Sequence, residues 1–250
     1  MEWHDRAIVL GVRPHGEASV IASLLTTGHG RHAGLVRGGR SRRHAGVLQT
    51  GNIVAARWRA RLPDHLGTFV IEPEEAVASA LLGDPMRLAC LASACALAER
   101  TLADRLPCEA LFNATEMLVR QLRLGVSHWD AAYVRWELGL LNVLGYGLDL
   151  KRCALTGSTE ELVWVSPRSG RAVSAAAGEP WKGKLLDLPG FLVGAPEARA
   201  ADVLAGLRLS GYFLERHALA GEPTGLPPAR QRFVDLLSGQ STICSGNLDS

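Results

Sequence analysis

The chain has 250 residues, 27 basic and 25 acidic side chains, a formal net charge of +2 and 47% hydrophobic residues. That is enough apolar material for one to three small packed domains, and it excludes a disordered or fibrous chain. No apolar run reaches the roughly 18–20 residues of a membrane helix, and the charged start Met1-Glu2-Trp3-His4-Asp5-Arg6 does not read as a signal peptide, so a soluble cytoplasmic protein is expected. Five cysteines, Cys90, Cys95, Cys108, Cys153 and Cys244, include no CxxC pair and suggest no disulfide framework. The first three lie in apolar helical sequence and read as small buried hydrophobes.

Residues 1–71 read as strands. Apolar, β-branched runs at 6–12 and 18–25 are followed by a Gly-containing turn and a third run at 31–37, which fits a hairpin. Residues 38–43 form a charged, flexible loop. Residues 53–62 alternate, with Trp58, Ala60 and Leu62 on one face and Arg57, Arg59 and Arg61 on the other. After a Pro63-Asp64 turn, residues 66–72 make the last strand. Five short strands with no room for crossover helices predict a small antiparallel barrel.

From Pro73 the pattern turns helical. Asp84-Pro85 is an N-cap followed by proline at the first helical position, ahead of Leu88, Leu91, Cys95, Ala98 and Leu102 at helical spacing. Leu111, Thr115, Leu118 and Leu122 mark a helix stopped by Gly125. Ser127 and Asp130 resemble a capping box that opens a helix with the stripe Trp129, Tyr133, Trp136, Leu140 and Leu144. Residues 148–189 are a loop-rich insert with a short strand at 163–165. Helices resume from Glu197, with Val203, Leu204, Leu207 and Leu214 on one face, and again over 228–237. Residues 239–250 are small and polar and read as a disordered tail.

The charge is strongly segregated. Residues 1–71 carry ten Arg, no Lys and four acids, a net +6, against −4 for the rest; six of the eight His also fall there. From Arg31 to Arg61 there are eight Arg and no acid. Such a field suits a polyanion, the alternative being an ordinary solvated surface. No P-loop, dinucleotide fingerprint, HExxH or GxSxG occurs, and acids are too sparse here for a two-metal site. Glu17 reads as a surface carboxylate rather than a general base. His29, His32 and His44 could ligate a metal, but their place among Arg in turns favours phosphate contacts or solvent. The residues thus point to nucleic-acid binding without catalysis.

The segments Gly34-Leu35-Val36-Arg37-Gly38-Gly39-Arg40-Ser41, Trp58-Arg59-Ala60-Arg61-Leu62, Leu66-Gly67-Thr68-Phe69, Trp136-Glu137-Leu138-Gly139-Leu140-Leu141 with Gly145-Tyr146-Gly147, Cys153, and Val165-Ser166-Pro167-Arg168-Ser169-Gly170-Arg171 resemble, in order, the RecO family of bacterial recombination mediators. The resemblance runs from residue 1 to about 240. It implies an α+β protein: an N-terminal OB-fold barrel (1–75), then an all-helical domain (76–147 and 190–238) carrying a zinc-ribbon-like insert (148–189). It also implies a non-enzymatic role: binding and annealing single- and double-stranded DNA, engaging RecR and the acidic C-terminal tail of single-strand binding protein, and so helping to load RecA. The matching basic residues are Arg31, Arg37, Arg40, Arg42, Arg43, Arg57, Arg59 and Arg61. Arg135 is the candidate for gripping the acidic tail, with a purely structural helix-surface arginine as the alternative. Many family members hold zinc in the insert with four cysteines. Here Cys153 keeps the first position, Thr156 takes its CxxC partner's place, and no other Cys or His lies between residues 154 and 216. The insert is therefore expected to fold without zinc, and no cofactor is expected. The alternative reading is an OB-fold module for RNA or the ribosome.

Overall fold

The structure, a computed structural model, describes residues 1–246, with side chains through residue 239. The chain forms two compact units, Met1–Val126 and the part from Ser127 on. The first unit thus extends past residue 75 to include three helices. Among the described residues, no helix is long and apolar enough to cross a membrane.

Five strands, β1 (Glu2–His15), β2 (Ser19–Thr26), β3 (Gly30–Val36), β4 (Ile53–Arg59) and β5 (Thr68–Glu75), close into a barrel in the order β1-β2-β3-β5-β4. Every neighbouring pair is antiparallel except β3 and β5, which meet in parallel at Leu35 and Thr68. Strand β1 outruns the expected 6–12 because its polar ends also pair: Glu2 lies opposite Arg59, and His15 opposite Ser19. Strand β4 stops at Arg59, so Leu62, expected on the inner face, is 52% exposed. The run Ala7-Ile8-Val9-Leu10 is buried throughout. Ala7 and Val9 join the barrel core, while the alternate residues face outward on the strand that a following helix covers.

A short helix, α1 (Arg42–Val47), stands where a loop was expected at 38–43. The Ser41 hydroxyl accepts from the His44 amide, and the Asn52 side chain donates to the Gly46 and Val47 carbonyls at 2.8 and 3.1 Å. The Asn52 carbonyl oxygen accepts from Ala78 in α2 (Val77–Ala80) at 3.0 Å, so one buried amide joins three segments. Helix α3 (Pro85–Thr101) starts as expected: the Asp84 carboxylate accepts from the Arg87 amide at 3.0 Å. Helix α4 (Glu109–Leu124) ends at Gly125, whose φ is 62°.

One end of the barrel is filled by Trp3, Trp58, Phe69 and His32. The Trp58 indole stacks 5.7 Å from Trp3 and donates Nε1–H to the Leu66 carbonyl at 3.0 Å. Gly67 has a φ of 66°, and a side chain there would overlap the Trp58 indole. His32, expected at phosphate or in solvent, is instead 4% exposed and edge-on to Trp58 at 4.8 Å. Neither of its ring nitrogens has a hydrogen-bond partner. Burial first, and then the Arg105 charge, pulls its pKa down to about 4.

The second unit packs α5 (Trp129–Val143), α7 (Ala200–Phe213) and α8 (Pro228–Gly246) around Tyr133, Leu140, Leu207 and Phe233. The insert between α5 and α7 supplies β6 (Leu162–Val165), β7 (Ala172–Ser174), α6 (Ala175–Gly178) and β8 (Leu186–Asp187), with sheet order β7-β6-β8. The expected capping box does not form. His128, at φ 63°, is the N-cap without a side-chain bond, and the Asp130 carboxylate accepts from its neighbour Ala131. Helix α8 continues to Gly246, into the stretch expected to be a disordered tail; the rest of that stretch, 247–250, lies outside the described residues.

A buried ion pair pins the three long helices. Arg230 donates Nε–H to one Glu137 oxygen at 2.7 Å and Nη2–H to the other at 2.9 Å, and also bonds the Leu207 carbonyl at 2.7 Å. Ser210 donates to the same carboxylate at 2.5 Å. Burial opposes the Arg230 charge, but Glu137 more than offsets it and raises the pKa. With Glu137 wholly buried, removing either partner alone should cost about 3–5 kcal/mol.

Two outcomes follow from this packing. An imidazole kept neutral in the fold but free to take a proton when unfolded destabilises the fold only as pH falls from its ordinary 6.5 towards about 4. Hydrogen exchange of the barrel amides should show a loss of about 1–3 kcal/mol between pH 7 and pH 4.5. His32→Phe should remove most of that slope, and an unchanged slope would place the acid sensitivity elsewhere.

The second outcome concerns Cys153. Its sulfur accepts from the Ser174 amide at 3.3 Å and the Ser174 hydroxyl at 3.5 Å. Burial pushes the thiol up, but these bonds and those from Thr156 outweigh it and bring the pKa down to about 6. Among the described residues no three His, Cys, Asp or Glu side chains converge to hold a metal, so this donor set does not fit zinc. Elemental analysis of untagged protein should find zinc well below one equivalent, and a chelator should leave the melting temperature unchanged. One bound zinc with chelator-sensitive melting would contradict this.

Candidate nucleic-acid interface

The barrel surface is built by strand alternation. Since β4 buries Ala56 and Trp58, it turns Arg57 and Arg59 outward. The cross-strand register then defines a row around the outside: Arg13 opposite Ile21, Ile21 opposite Leu35, Leu35 opposite Thr68, Thr68 opposite Arg59, and Arg59 opposite Glu2. Over the seam between β3 and β5 this row opens into a groove of about 720 Å³. Arg59, Arg61, His15, His65 and Met1 line it together with apolar Leu35 and Leu66. The Met1 ammonium donates to the Ala60 carbonyl at 2.7 Å and adds a cation beside Arg59.

The remaining candidates divide. Arg37, at the end of β3, and Arg42 and Arg43, on α1, are exposed. So are Arg59 and Arg61, and none of these five has an ion-pair partner among the described residues. Arg40 is exposed and reaches the Gly16 carbonyl at 3.5 Å, beside the turn that carries His15. Arg57 is half-exposed but bonded to Glu2 at 2.5 Å; that bond leads the forces holding the Glu2 carboxyl below its usual range. Arg31 leaves the set. Only 23% of its side chain is exposed, Nε donates to the Leu102 carbonyl at 2.9 Å, and Asp104 lies 3.6 Å away. It anchors the segment after α3 to the barrel.

A cluster of acids sits at the other end of β5. Glu74 and Glu75 bind Arg6 at 2.6 and 2.9 Å, Arg6 also binds Glu116 of α4, and Glu75 binds Arg123. The acidic end is thereby neutralised internally, while the groove end keeps its net positive charge.

The histidines do not form a site. His29 bonds Asp5 at 2.9 Å and stacks on Trp3, His32 is buried, and His44 packs against Ser41. The sequence reading missed Arg13 because it ended the first strand at Val12. It missed His15 for the same reason, and His65 because a loop residue shows no facing direction until the barrel closes. In the second unit, Arg135 is exposed on α5, but Nη2 donates to the Phe191 carbonyl at 3.1 Å and the guanidinium lies 5.1 Å from the Phe191 ring. Part of its fork is therefore used within the fold.

Family comparison agrees with this architecture. A model described as Recombination protein O N terminal matches residues 1–74, the barrel, and one described as Recombination protein O C terminal matches residues 82–224. The DNA repair protein RecO of Rhodospirillum rubrum is 54% identical over 243 residues, covering 95% of this chain and 96% of its own. That of Rhodospirillum centenum is 55% identical over 237 residues, covering 94% of each. That of Methylobacterium nodulans is 51% identical over 243 residues, covering 94% of this chain and 98% of its own. With both halves matched and identity above one half along nearly the whole length, the chain belongs to the recombination protein O (RecO) family.

Proposed function

We propose that this chain is a non-enzymatic DNA-binding and strand-annealing mediator of recombinational DNA repair. The observation that carries the reading is the groove over the barrel seam, cationic at Arg59, Arg61 and the Met1 ammonium, with Arg40 reaching the Gly16 carbonyl beside His15; Arg37, Arg42 and Arg43 add exposed positive charge to the same unit. The name of its relatives, DNA repair protein RecO, supports the process. Arginine forks match phosphate oxygens, and the groove holds no acid to repel them. Neutralising phosphates on two strands at once lowers their mutual repulsion, which is the physical requirement for annealing. The same groove carries no array of base-edge readers, so binding is nearly sequence-blind.

The family resemblance brings the partners: RecR, and the C-terminal tail of single-strand binding protein, through which the protein helps load RecA on coated single strands. An acidic peptide with an apolar end needs a cation beside apolar surface. Arg135, over the Phe191 ring, is the residue we assign to it.

Titration of a single-stranded oligonucleotide against salt tests the groove. If about five arginines neutralise phosphates, the slope of log K on log salt should lie near −3.5. The double change Arg59→Ala and Arg61→Ala should flatten it by about 1.4. Arg31→Ala should leave the slope alone and lower stability instead. An unchanged slope in the double variant would move the footprint off this groove, and a clear preference for RNA would favour the RNA-module reading.

Arg135→Ala should weaken binding of an acidic, apolar-ended peptide from single-strand binding protein, by about tenfold for a loss near 1.4 kcal/mol. Bare-DNA affinity should be unchanged. Parallel loss of both would put peptide and DNA on one surface.

A further inference from the structure

We propose that Arg105 is a positioning residue for the barrel groove: its guanidinium clamps the 60–67 loop and so fixes how Arg61 and His65 face a bound strand. This rests on the reading of the groove as a nucleic-acid interface.

The loop between β4 and β5 crosses from Ala60 to Gly67 without regular structure. Its ends are tied by the strands: the Ala60 amide donates to Met1, and the Gly67 carbonyl accepts from Leu35, each at 3.0 Å. Its middle is held from outside the barrel sequence. Arg105 donates Nη1–H to the Pro63 carbonyl and Nη2–H to the His65 carbonyl, the latter at 2.8 Å. The guanidinium also lies 5.8 Å from the Trp58 ring, whose own N–H holds Leu66. Three successive anchors therefore fix residues 63–66, two of them from one side chain.

Arg105 is itself held at an unfavourable backbone angle. Its φ is 58°, one of three non-glycine residues with positive φ among the described residues. Its amide donates to the Arg31 carbonyl at 2.7 Å, and Arg31 returns a bond to Leu102. Glycine would adopt this left-handed turn without strain. A long basic residue kept at such a position is explained by what its side chain does.

The contacts favour positioning over direct binding. Both terminal nitrogens already donate to carbonyls, Nε has no hydrogen-bond partner and faces Asp104 at 3.6 Å, and only 27% of the side chain is exposed. No free edge of the fork remains for a two-point phosphate contact. Holding the loop in place before binding removes the ordering cost that a mobile loop would impose on the complex.

The test uses the full chain with Arg105→Gly, which relaxes the turn, and Arg105→Lys, which keeps the charge but not the planar fork. Trypsin cleavage after Arg61 reports loop opening, and oligo-dT titrated against salt reports binding. Both variants should be cut about tenfold faster, since cleavage tracks the open population, with the melting temperature nearly unchanged. Affinity for oligo-dT should fall about fivefold at fixed salt with the salt slope retained, because no phosphate contact is lost. Unchanged protection at Arg61 would overturn the clamp. A slope lowered by about 0.7 and restored by Lys would make Arg105 a phosphate contact instead. Loss of the whole fold in both variants would make it a residue of general stability and equally overturn the proposal. If the double change Arg59→Ala and Arg61→Ala leaves oligo-dT binding intact, the groove reading fails on its own, while the cleavage result still decides whether Arg105 holds the loop.

Discussion

The barrel depends on a short parallel seam. Strands β1, β2 and β3 follow one another as antiparallel neighbours, but the sheet closes only when β5 comes alongside β3, and the register records one paired position, Leu35 with Thr68. The Leu35 amide donates to the Gly67 carbonyl at 3.0 Å at the same place. Close approach is possible because Gly34 presents no side chain; one there would overlap the Phe69 ring. A seam with so few ladder bonds leaves the outer surface above it open between two loops, which is where the groove lies. The geometry that completes the core thus creates the concavity.

Closure also sorts the charges. Each outward residue on β4 has a neighbour on β1 and one on β5, so its neutralisation is decided by register. Arg59 lies between Glu2 and Thr68, and Arg57 between His4 and Val70. Glu2, opposite Arg59, nevertheless bonds Arg57 and meets Arg59 only through its field, which leaves the Arg59 guanidinium without a direct ion pair. At the other end of the strands, Arg6 gathers Glu74, Glu75 and Glu116 into one cluster. A pair of exposed opposite charges contributes little to stability, but a partly buried cluster joining two strands and a helix orients the acids away from the groove. The uneven field is a property of the fold as well as of composition.

Much of this was legible in the chain. Alternation at Arg57, Trp58 and Arg59, the Asp84-Pro85 start and the Gly125 stop are local signals, and each gave its element. Residues whose role depends on distant partners were not legible. Arg31 reads like the other arginines until Leu102 and Asp104 come beside it. His32 sits in a segment dense with charge, yet its strand position turns it inward. The Ser127 and Asp130 spacing matched a cap, but the chain takes a left-handed step at His128 that moves the helix start. Arg105 carried no sequence signal, since neither its positive φ nor its two carbonyl partners are local features.

The second unit solves a different problem. Its helices are apolar on several sides, and apolar contact alone tolerates sliding and alternative packings. The Glu137 carboxylate, wholly buried, is satisfied only when Arg230 of α8 and Ser210 of α7 meet it together. A displaced helix would leave a buried charge without its partner, so the pair selects one arrangement even where an apolar triad would be as stable. The insert relies on hydrogen bonding in the same way. With one thiol in place of a metal's ligand set, Ser174 brings the end of β7 to Cys153, and the Cys153 amide donates to Ser158 at 2.7 Å across the turn. These are directional bonds to fixed backbone positions. They can hold the shape of a knuckle without the strong coordination of a metal, provided the β6 and β7 side chains Leu162, Val165, Ala172 and Val173 remain buried beneath it.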